Sequence, residues 1–528
     1  MRPLLHEYST SHTPESLTAQ LQGEPGLVLL RSGLFDSPQT RFSFVTAKPF
    51  LRFRSFGSRC ESQACATEWN AAAASTQPSE RSHGRLPGSA RSVMQVQYGD
   101  PWRLLESWLV RSELLDEVDL PFPLGGCFGY WGYELKNYVE PKLRHSAIRD
   151  LELPDCQAGF YASLVAFDHR LGKTWIIATG LDADASRSET HARQQLEFWR
   201  RELGKEPGAE RRRQRPEGRG PNPKNGGAHL LSTEGETGIV SNLSRDEFLT
   251  RVERAQAYIR RGDIYQVNLS QRLTAAWPHC GWDLFRRLAE VSPAPQSAWL
   301  DGGDCQVASA SPESFLRLSG SQIQTRPIKG TRPRSADQGR DAQLAYELQT
   351  SAKEVSELIM ITDLLRNDLG RVCEFGSVHV PELLRLERFP QVQHLVSTVE
   401  GRLRPGLSHL DALRSCFPGG SITGAPKFRA MEIIDELEPV ARGPYTGALG
   451  YIGFNRESQL SIIIRTAVCQ NRAAHFQVGA GIVADSDPAA EYDETLAKAR
   501  GFVEALRLGP QPGPGPKMKG LRQPLKNP

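Results

Sequence analysis

Residues 124–133 (Leu-Gly-Gly-Cys-Phe-Gly-Tyr-Trp-Gly-Tyr) constrain the fold most, because four glycines stand among bulky aromatic side chains. Glycine inside a strand leaves no side chain to pack, and it commonly marks a place where another backbone approaches closely. We therefore predict strands in close backbone contact at this segment. A fold built on sheets follows from it.

Further strand patterns lie on both sides of this segment. Residues 27–30 and 41–45 are apolar or alternating and are separated by a turn at Ser32-Gly33, and residues 161–178 continue the pattern. Residues 264–273 predict another strand, in which Gln266, Asn268 and Ser270 share one face because side chains alternate with period two. A polar face of this kind usually points to solvent.

The amino-acid composition divides the chain into two predicted domains and three segments of biased composition. Residues 57–95 are rich in Ser, Ala and Gly and predict a flexible insertion, while residues 205–241 combine Pro, Gly and a basic run and predict a linker. The tail 509–528 has the composition of a disordered segment. We therefore expect an N-terminal domain over 1–204 and a second, catalytic domain over 242–508.

The formal net charge of +3 comes from the last two of these segments. Residues 205–219 carry six Lys or Arg against three Glu, and residues 509–528 carry four Lys or Arg and no acid, which leaves the remainder near −4. Such a balance argues against a nucleic-acid surface.

The sequence has no apolar N-terminal leader and no run of about 18 apolar residues, so no membrane association is expected. Nine cysteines without a zinc-type spacing predict reduced thiols in the cytoplasm.

Residues 325–334 (Thr-Arg-Pro-Ile-Lys-Gly-Thr-Arg-Pro-Arg) predict a stiff, cationic turn around Lys329. Two prolines fix backbone dihedrals, and Gly330 permits a conformation or a close approach that a side chain would forbid. The arginines at 326, 332 and 334 favour the neutral amine of Lys329, which could act as a nucleophile or base. The plain alternative is a solvated basic loop.

Two helices carry paired carboxylates. Residues 352–365 predict a helix with Glu354 and Glu357 three positions apart, and a helix after Asp487-Pro488 repeats the arrangement with Glu491 and Glu494. Two such pairs suit a hard cation such as Mg²⁺, although each pair alone could be a solvated helix face.

Two glycine-rich segments resemble nucleotide motifs only superficially. In residues 419–427 the lysine comes two positions late for a P-loop and follows a proline, which argues against ATP binding. Residues 479–484 lie too near the C-terminus for a following strand with a ribose-binding acid, which argues against a dinucleotide site. Arg465 interrupts an apolar run and, if buried, needs an anionic partner.

Several of these motifs together resemble the chorismate-utilising enzymes. Residues 327–331 (Pro-Ile-Lys-Gly-Thr) look like the signature of the aminodeoxychorismate synthase large subunits, component I, in which the lysine is the covalent nucleophile. The similar anthranilate synthases have alanine there. Isochorismate and salicylate synthases carry a lysine base where this chain has Gln266, which argues against water as the added nucleophile.

The resemblance implies a role for each candidate residue. As catalytic residues it implies Lys329 as nucleophile, Glu313 as general acid/base, and His394. As substrate-binding residues it implies Gln266, Thr423, Tyr445, Arg465, Gly479, Ala480, Gly481 and Lys498. For Mg²⁺ it implies Glu357 and Glu494 as direct ligands, with Glu354 and Glu491 acting through water. Ser32 corresponds to a position that contacts feedback tryptophan in anthranilate synthases, but Arg31 replaces a glutamate there.

The resulting expectation is an α+β fold, a large two-subdomain sandwich with two antiparallel β-sheets flanked by helices. The implied function is amination of chorismate with ammonia from a separate glutamine amidotransferase subunit, for p-aminobenzoate and folate synthesis. Two alternatives stay open: anthranilate synthase component I, and a tryptophan- or chorismate-binding regulatory protein without turnover.

Overall fold

Two antiparallel sheets that face each other form the body of the protein in this computed structural model. The structure describes residues 2–33, 40–65, 94–114, 120–143, 147–208, 229–230, 238–389 and 392–507. Each sheet contains strands from both halves of the sequence. This arrangement confirms the predicted α+β sandwich.

The strands, in chain order, are β1 Leu4–Glu7, β2 Val28–Arg31, β3 Phe42–Thr46, β4 Leu51–Phe56, β5 Arg59–Ala64, β6 Met94–Tyr98, β7 Gly126–Trp131, β8 Cys156–Tyr161, β9 Ser163–Asp168, β10 Lys173–Ala178, β11 His229–Leu230, β12 Val240–Ser241, β13 Gln266–Ala276, β14 Gln296–Asp301, β15 Gln306–Ser311, β16 Ser314–Ser319, β17 Gln322–Thr325, β18 Ile328–Pro333, β19 His379–Arg388, β20 Val392–Arg402, β21 Gly424–Ala425, β22 Ala448–Gly453, β23 Glu457–Ile462, β24 Thr466–Gln470 and β25 Ala473–Ile482.

The first sheet has the order β1-β10-β9-β3-β2-β14-β15-β24-β25-β13-β12-β11, with β21 paired to β13. The second has the order β18-β20-β17-β16-β23-β22-β7-β8-β4-β5-β6, with β19 paired to β20. The two halves of the chain join where β2 pairs with β14 and where β7 pairs with β22. Neither sheet is therefore complete without both halves.

The helices, in chain order, are α1 Pro14–Gln20, α2 Pro101–Ser112, α3 Lys136–Val139, α4 Glu189–Leu203, α5 Arg245–Arg260, α6 Gly281–Val291, α7 Gln338–Thr350, α8 Ala352–Gly370, α9 His409–Cys416, α10 Lys427–Leu437 and α11 Pro488–Arg507. Helices α5, α10 and α11 pack against β13 or β25 of the first sheet, while α7 and α8 pack against β18 and β20 of the second. No helix in the described ranges is long and apolar enough to cross a membrane.

Local sequence rules explain several of these elements. Ser244 caps α5 and exchanges hydrogen bonds with Glu247 in a capping box, the pattern of a serine followed three residues later by a glutamate. In the glycine-aromatic segment, a Cβ on Gly129 would lie 2.1 Å from the Gln157 carbonyl oxygen of β8, so the predicted close backbone contact is confirmed. The largest apolar cluster contains buried side chains from both sheets, among them Phe44 of the first sheet and Phe128 and Leu460 of the second.

Three predicted segments differ from the structure. Strands β5 and β6 lie inside the range predicted as a flexible insertion over 57–95, and residues 66–93 fall outside the described residues. Strand β12 extends the first sheet within the predicted linker 205–241, because Val240 and Ser241 pair with Thr274 and Leu273. The pattern over 161–178 is two strands, β9 and β10, rather than one. The predicted tail 509–528 lies outside the described residues.

Candidate active site

A cavity of about 680 Å³ lies between the two sheets and collects most of the candidate residues. Its walls come from β13 and β25 of the first sheet, from β18 and β20 of the second, and from helices α8 and α11. The candidate residues that line it are Glu313, Lys329, Glu354, Glu357, His394, Tyr445, Arg465, Gly479, Gly481, Glu494 and Lys498. Motifs that are far apart in the sequence thus meet at one place.

Lys329 lies on strand β18 and not in a turn, which corrects the prediction for this stretch. It pairs with Leu395 of β20, and the register shifts directly afterwards at Gly330, whose φ is +68°. A Cβ at this glycine would lie 2.5 Å from Leu348 and 3.0 Å from Glu354, so only glycine lets the strand pass so close to the helices. Strand pairing therefore holds the lysine in place.

The predicted cationic surroundings of Lys329 are also wrong, because each neighbouring arginine has a carboxylate partner. Arg326 forms an ion pair with Glu387, and Arg334 approaches Asp341 to 2.9 Å. Arg332 lies 3.4 Å from Glu354. Each arginine charge is offset by that of its carboxylate partner. The positive field of these arginines at Lys329 is therefore weaker than the sequence suggests.

Glu313 follows strand β15 and is buried, with 8% of its surface exposed. Burial raises its pKa, although a hydrogen bond with Ser421 and the charge of Lys329 oppose the shift. The main chain is fixed as well, because the Ile462 N–H donates to the Glu313 carbonyl oxygen at 3.1 Å. A carboxyl group with a raised pKa can donate a proton near neutral pH.

The four metal-ligand candidates each lie beside a basic side chain. The distances are 3.4 Å for Arg332–Glu354, 3.8 Å for Lys329–Glu357, 3.9 Å for Lys353–Glu491 and 2.7 Å for Lys498–Glu494. Glu491 is buried and also accepts a 2.7 Å hydrogen bond from Ser486. Each of the four acids therefore has a basic neighbour, and three of them, Glu354, Glu357 and Glu494, line the cavity, whereas Glu491 does not.

The fit of a divalent cation can be judged from the same carboxylates. Burial raises the pKa of Glu357, and Glu354 and Glu494 add to this by charge repulsion, so carboxylates from both helices face one space. Burial also favours the neutral form of Glu494, but the charge of Lys498 and its hydrogen bond outweigh it, and its pKa is lowered. Among the described residues, no three His, Cys, Asp or Glu side chains are close enough to hold a metal ion. A pair of carboxylates still suits Mg²⁺, which keeps waters and commonly takes an anionic substrate group.

Arg465 lies at a crossover between the two sheets and is not part of a strand. It falls between β23 of the second sheet and β24 of the first, with φ +50°. Burial lowers the pKa of its guanidinium, and the structure gives it no hydrogen bond or ion pair with a described side chain. Lys498 and Tyr445 also line the cavity, and burial raises the pKa of Tyr445 to about 12. An unpaired, half-buried guanidinium of this kind suits a carboxylate ligand.

The polar face of β13 is buried, although polar residues on one face of a strand usually point to solvent. Gln266, Asn268 and Ser270 are 2%, 8% and 3% exposed, and the Ser270 hydroxyl donates a hydrogen bond to Glu438. A Cβ on Gly481 would lie 2.8 Å from Gln266 Nε2, and a Cβ on Gly479 would lie 2.7 Å from Asn268 Oδ1. The two glycines on β25 thus make room for the two amide side chains.

Some candidates do not line the cavity. The Thr423 hydroxyl donates to the Gly419 carbonyl oxygen at 3.0 Å, while its neighbours Ser421 and Ile422 reach the cavity. Ala480 is fully buried on the opposite face of β25, against the helices. His394 does line it, with Nδ1 2.9 Å from the Thr331 hydroxyl, and burial lowers its pKa.

Asn268 and Ser421 are cavity residues to which the sequence analysis gave no role. For Asn268 a signal was present in the sequence, because Asn268 shares a period-two face with Gln266.

Ser32 lies away from this cavity. Its hydroxyl donates to the Phe42 carbonyl oxygen at 2.7 Å, and it borders a small separate cavity with Arg31, Gln296 and Tyr451. Arg31 forms an ion pair with Glu15 of α1. The structure therefore keeps Ser32 apart from the candidate catalytic residues.

The sequence of this chain matches known proteins over most of its length. The model of the family described as chorismate binding enzyme matches residues 33–504. Anthranilate synthase component 1 of Thermus thermophilus is 42% identical over 416 residues, which cover 78% of this chain and 84% of that protein. Aminodeoxychorismate synthase component 1 of Escherichia coli is 36% identical over 498 residues, which cover 92% and 95%.

The fold matches as well. The crystal structure of anthranilate synthase component I from Streptococcus pneumoniae TIGR4 aligns with a TM-score of 0.68 and 29% identity, over 89% of this chain and 93% of that one. Two antiparallel sheets, a shared cavity and a family match that spans both halves lead to one conclusion. This chain belongs to the family of chorismate binding enzymes.

Proposed function

We propose that this chain is component I of an aminodeoxychorismate synthase, which aminates chorismate to 4-amino-4-deoxychorismate for p-aminobenzoate and folate synthesis. The observation that carries the proposal is the lysine inside the cavity: Lys329 Nζ lies 3.8 Å from Glu357 and 3.9 Å from the position of a Cβ on Gly481. Overall similarity does not choose between the two activities, because relatives of both names match at 36–42% identity. The residue at 329 is lysine in one group and alanine in the other, by the resemblance described above.

Chorismate is a dianion, and the cavity offers cationic groups for its carboxylates. Arg465 has no ion-pair partner among the described residues and is the first candidate. Lys498 lies between Glu494 and the Gly479 carbonyl oxygen, to which its amine donates at 2.8 Å. The Tyr445 hydroxyl remains protonated at neutral pH and can donate a further hydrogen bond.

The chemistry then needs an acid and a nucleophile. Glu313, whose pKa is raised by burial, donates its proton to the departing ring hydroxyl, which leaves as water as the Lys329 nitrogen bonds to the ring. Ammonia next forms a new carbon–nitrogen bond, and the bond to Lys329 breaks. The proton released from the new ammonium group returns to the Glu313 carboxylate, so the enzyme is restored.

Mg²⁺ would be held by Glu357 and Glu494, with Glu354 and Glu491 contributing through water. Its positive charge, when bound, would neutralise a substrate carboxylate and the repulsion among these acids. On the protein side, Lys329 and Lys498 already lie against the two direct ligands. Both lysines are therefore placed at the border between the carboxylates and the substrate space.

A separate glutamine amidotransferase subunit is the proposed source of ammonia. The support is the word component in the names of the related anthranilate and aminodeoxychorismate synthases. We further propose that the enzyme acts in the cytoplasm, where chorismate is available.

The test is to incubate the purified protein with chorismate, Mg²⁺ and an ammonium salt, and to identify the products by their mass. A product that retains the enolpyruvyl group supports aminodeoxychorismate synthase. The rival, anthranilate synthase, is favoured by the higher identity of 42% to the Thermus thermophilus protein, and release of pyruvate would establish it. Binding of chorismate without any product would instead support a regulatory protein.

A further inference from the structure

A buried arginine behind the cavity wall is bonded through every donor of its side chain. Arg442 follows helix α10 and does not line the cavity itself. Its guanidinium donates five hydrogen bonds, which is the full number of N–H groups that an arginine side chain carries. Two of them go to the Glu438 carboxylate at 2.6 and 2.8 Å, so the charge is paired. A buried polar network that is fully satisfied makes the groups around it rigid.

The other three bonds of this guanidinium reach separate parts of the cavity wall. Nη2 donates to the Asn268 carbonyl oxygen of β13 at 2.7 Å, and Nη1 donates to the Ile422 carbonyl oxygen at 3.2 Å. Nη1 also donates to the hydroxyl of Thr446, the neighbour of Tyr445, at 3.1 Å. Asn268, Ile422 and Tyr445 all line the cavity. One side chain therefore joins three wall segments, from β13, from the turn before β21 and from the turn before β22.

Thr446 is held in a conformation that threonine rarely adopts. Its φ is +61°, and a β-branched residue in this left-handed region is strained. Its hydroxyl accepts from Arg442 and donates to the Tyr445 carbonyl oxygen at 2.6 Å, while its N–H donates to the Ile463 carbonyl oxygen at 2.7 Å. Backbone strain of this kind persists only where the surroundings fix the chain, and it clusters at functional sites.

The strained turn carries the ring of Tyr445 into the cavity wall. The Arg442 guanidinium lies 5.6 Å from the centre of this ring, and a Cβ on Gly479 would lie 2.9 Å from the hydroxyl at its other end. Burial raises the pKa of Tyr445 to about 12, against the charges of Arg442 and Arg465, so the hydroxyl keeps its proton. Within the described ranges this hydroxyl makes no hydrogen bond, which leaves it available to a ligand.

We propose that Arg442, acting through Thr446, is a positioning residue that directs the Tyr445 hydroxyl toward a carboxylate of the substrate. The ligand group is a carboxylate because a protonated hydroxyl donates a hydrogen bond and the cationic Arg465 lines the same cavity. This inference rests on the proposed binding of chorismate and adds the residue that orients one of its contacts.

The test is a double-mutant cycle on the affinity for chorismate, measured by calorimetry with Mg²⁺ and without ammonium. It compares wild type, Arg442→Lys, Tyr445→Phe and the double variant. Lysine keeps the positive charge but cannot make the bonds of the planar guanidinium. Lys136→Met is the control for lost stability, because it breaks a buried 2.8 Å ion pair with Asp435 and neither residue lines the cavity. Should Arg442→Lys fail to fold, Thr446→Ala, which removes one contact of the guanidinium, takes its place in the cycle.

We expect Arg442→Lys to weaken chorismate binding roughly tenfold when residue 445 is tyrosine and by less than about twofold when it is phenylalanine. The Lys136→Met control should be less stable to urea and keep an affinity within about twofold of wild type. An equal loss in both backgrounds, an unchanged affinity, or the same loss in the control would overturn the positioning role. Wild type that binds chorismate without aminating it would overturn the proposed function alone, whereas wild type that binds no chorismate would overturn both.

Discussion

Lys329 and Glu357 face each other in the cavity, with the lysine Nζ 3.8 Å from the glutamate Oε2. The lysine comes from a strand of the second sheet and the glutamate from helix α8, so packing of the helix on the sheet creates the pair. In the proposed function this contact joins the nucleophile to a metal ligand.

Substitution of Lys329 should show whether this lysine acts as the nucleophile. Lys329→Arg should be less active than Lys329→Ala, because arginine stays charged and fills the space that the ring needs. Initial rates with chorismate and ammonium measure the difference.

An adduct provides the direct readout for the same residue. With chorismate and Mg²⁺ but no ammonia, mass spectrometry should find added mass on the peptide that contains Lys329. The peptide with Lys353, a cavity-lining lysine beside Glu491, serves as the internal control. No adduct in a single turnover, together with an undiminished rate in Lys329→Ala, would move the assignment toward anthranilate synthase.

Glu357→Ala and Glu494→Ala should each abolish turnover and leave the fold nearly intact. Loss of a direct ligand should weaken Mg²⁺ binding by at least roughly tenfold, as measured by calorimetry with chorismate present. Glu347→Ala is the control, because this acid pairs with Arg340 on α7 and does not line the cavity. Near wild-type activity at low Mg²⁺ in either variant would show that the metal assignment is wrong.

Alanine at two nearby glycines should have different effects. At Gly479 the new methyl group would meet the Leu269 carbonyl oxygen at 2.7 Å, and a paired strand cannot move away, so we expect a loss of about 1–3 kcal/mol in stability. At Gly481 the closest atom is the tip of the flexible Gln266 side chain. Gly481→Ala should therefore remain stable but lose activity. Urea unfolding and initial rates test both, and equal destabilisation would contradict the geometry.

Glu134 should make stability depend on pH. Burial, aided by the charge of Asp155, raises its pKa from 4.5 to about 7. Between these values the folded protein keeps a proton that the unfolded chain releases, so the free energy of unfolding falls as pH rises through this window. Glu134→Gln removes this dependence. Between pH 4.5 and pH 8 the free energy of unfolding of wild type should therefore fall by on the order of 1–3 kcal/mol more than that of the variant.

Urea unfolding of wild type and Glu134→Gln across this range measures the effect. The glutamine can still accept the hydrogen bond that the Arg442 N–H donates at 3.0 Å, which isolates the titration from the contact. Parallel pH profiles for the two proteins would mean that Glu134 is ionised in the folded state.

The sequence by itself determined the local structure and the membership of the site. The capping box at Ser244, the strands on either side of Ser32-Gly33 and the close packing at Gly129 follow from rules that span a few residues. The candidate motifs also identified eleven residues that line one cavity. Such features depend on side-chain periodicity and backbone conformation, which a short segment carries with it.

Only the tertiary structure decided what surrounds those residues. Alternation shows that one face of β13 is polar, but that face is buried, and Ser270 on it bonds to Glu438, which lies 168 positions later in the chain. Likewise, the sequence near Lys329 shows only arginines and suggests a positive field. In the folded chain each arginine lies beside a carboxylate, that of Glu387, Glu354 or Asp341. Burial and charge pairing depend on residues that are distant in the sequence. The sequence of a short segment therefore cannot show whether its polar groups contact water, another residue or a substrate.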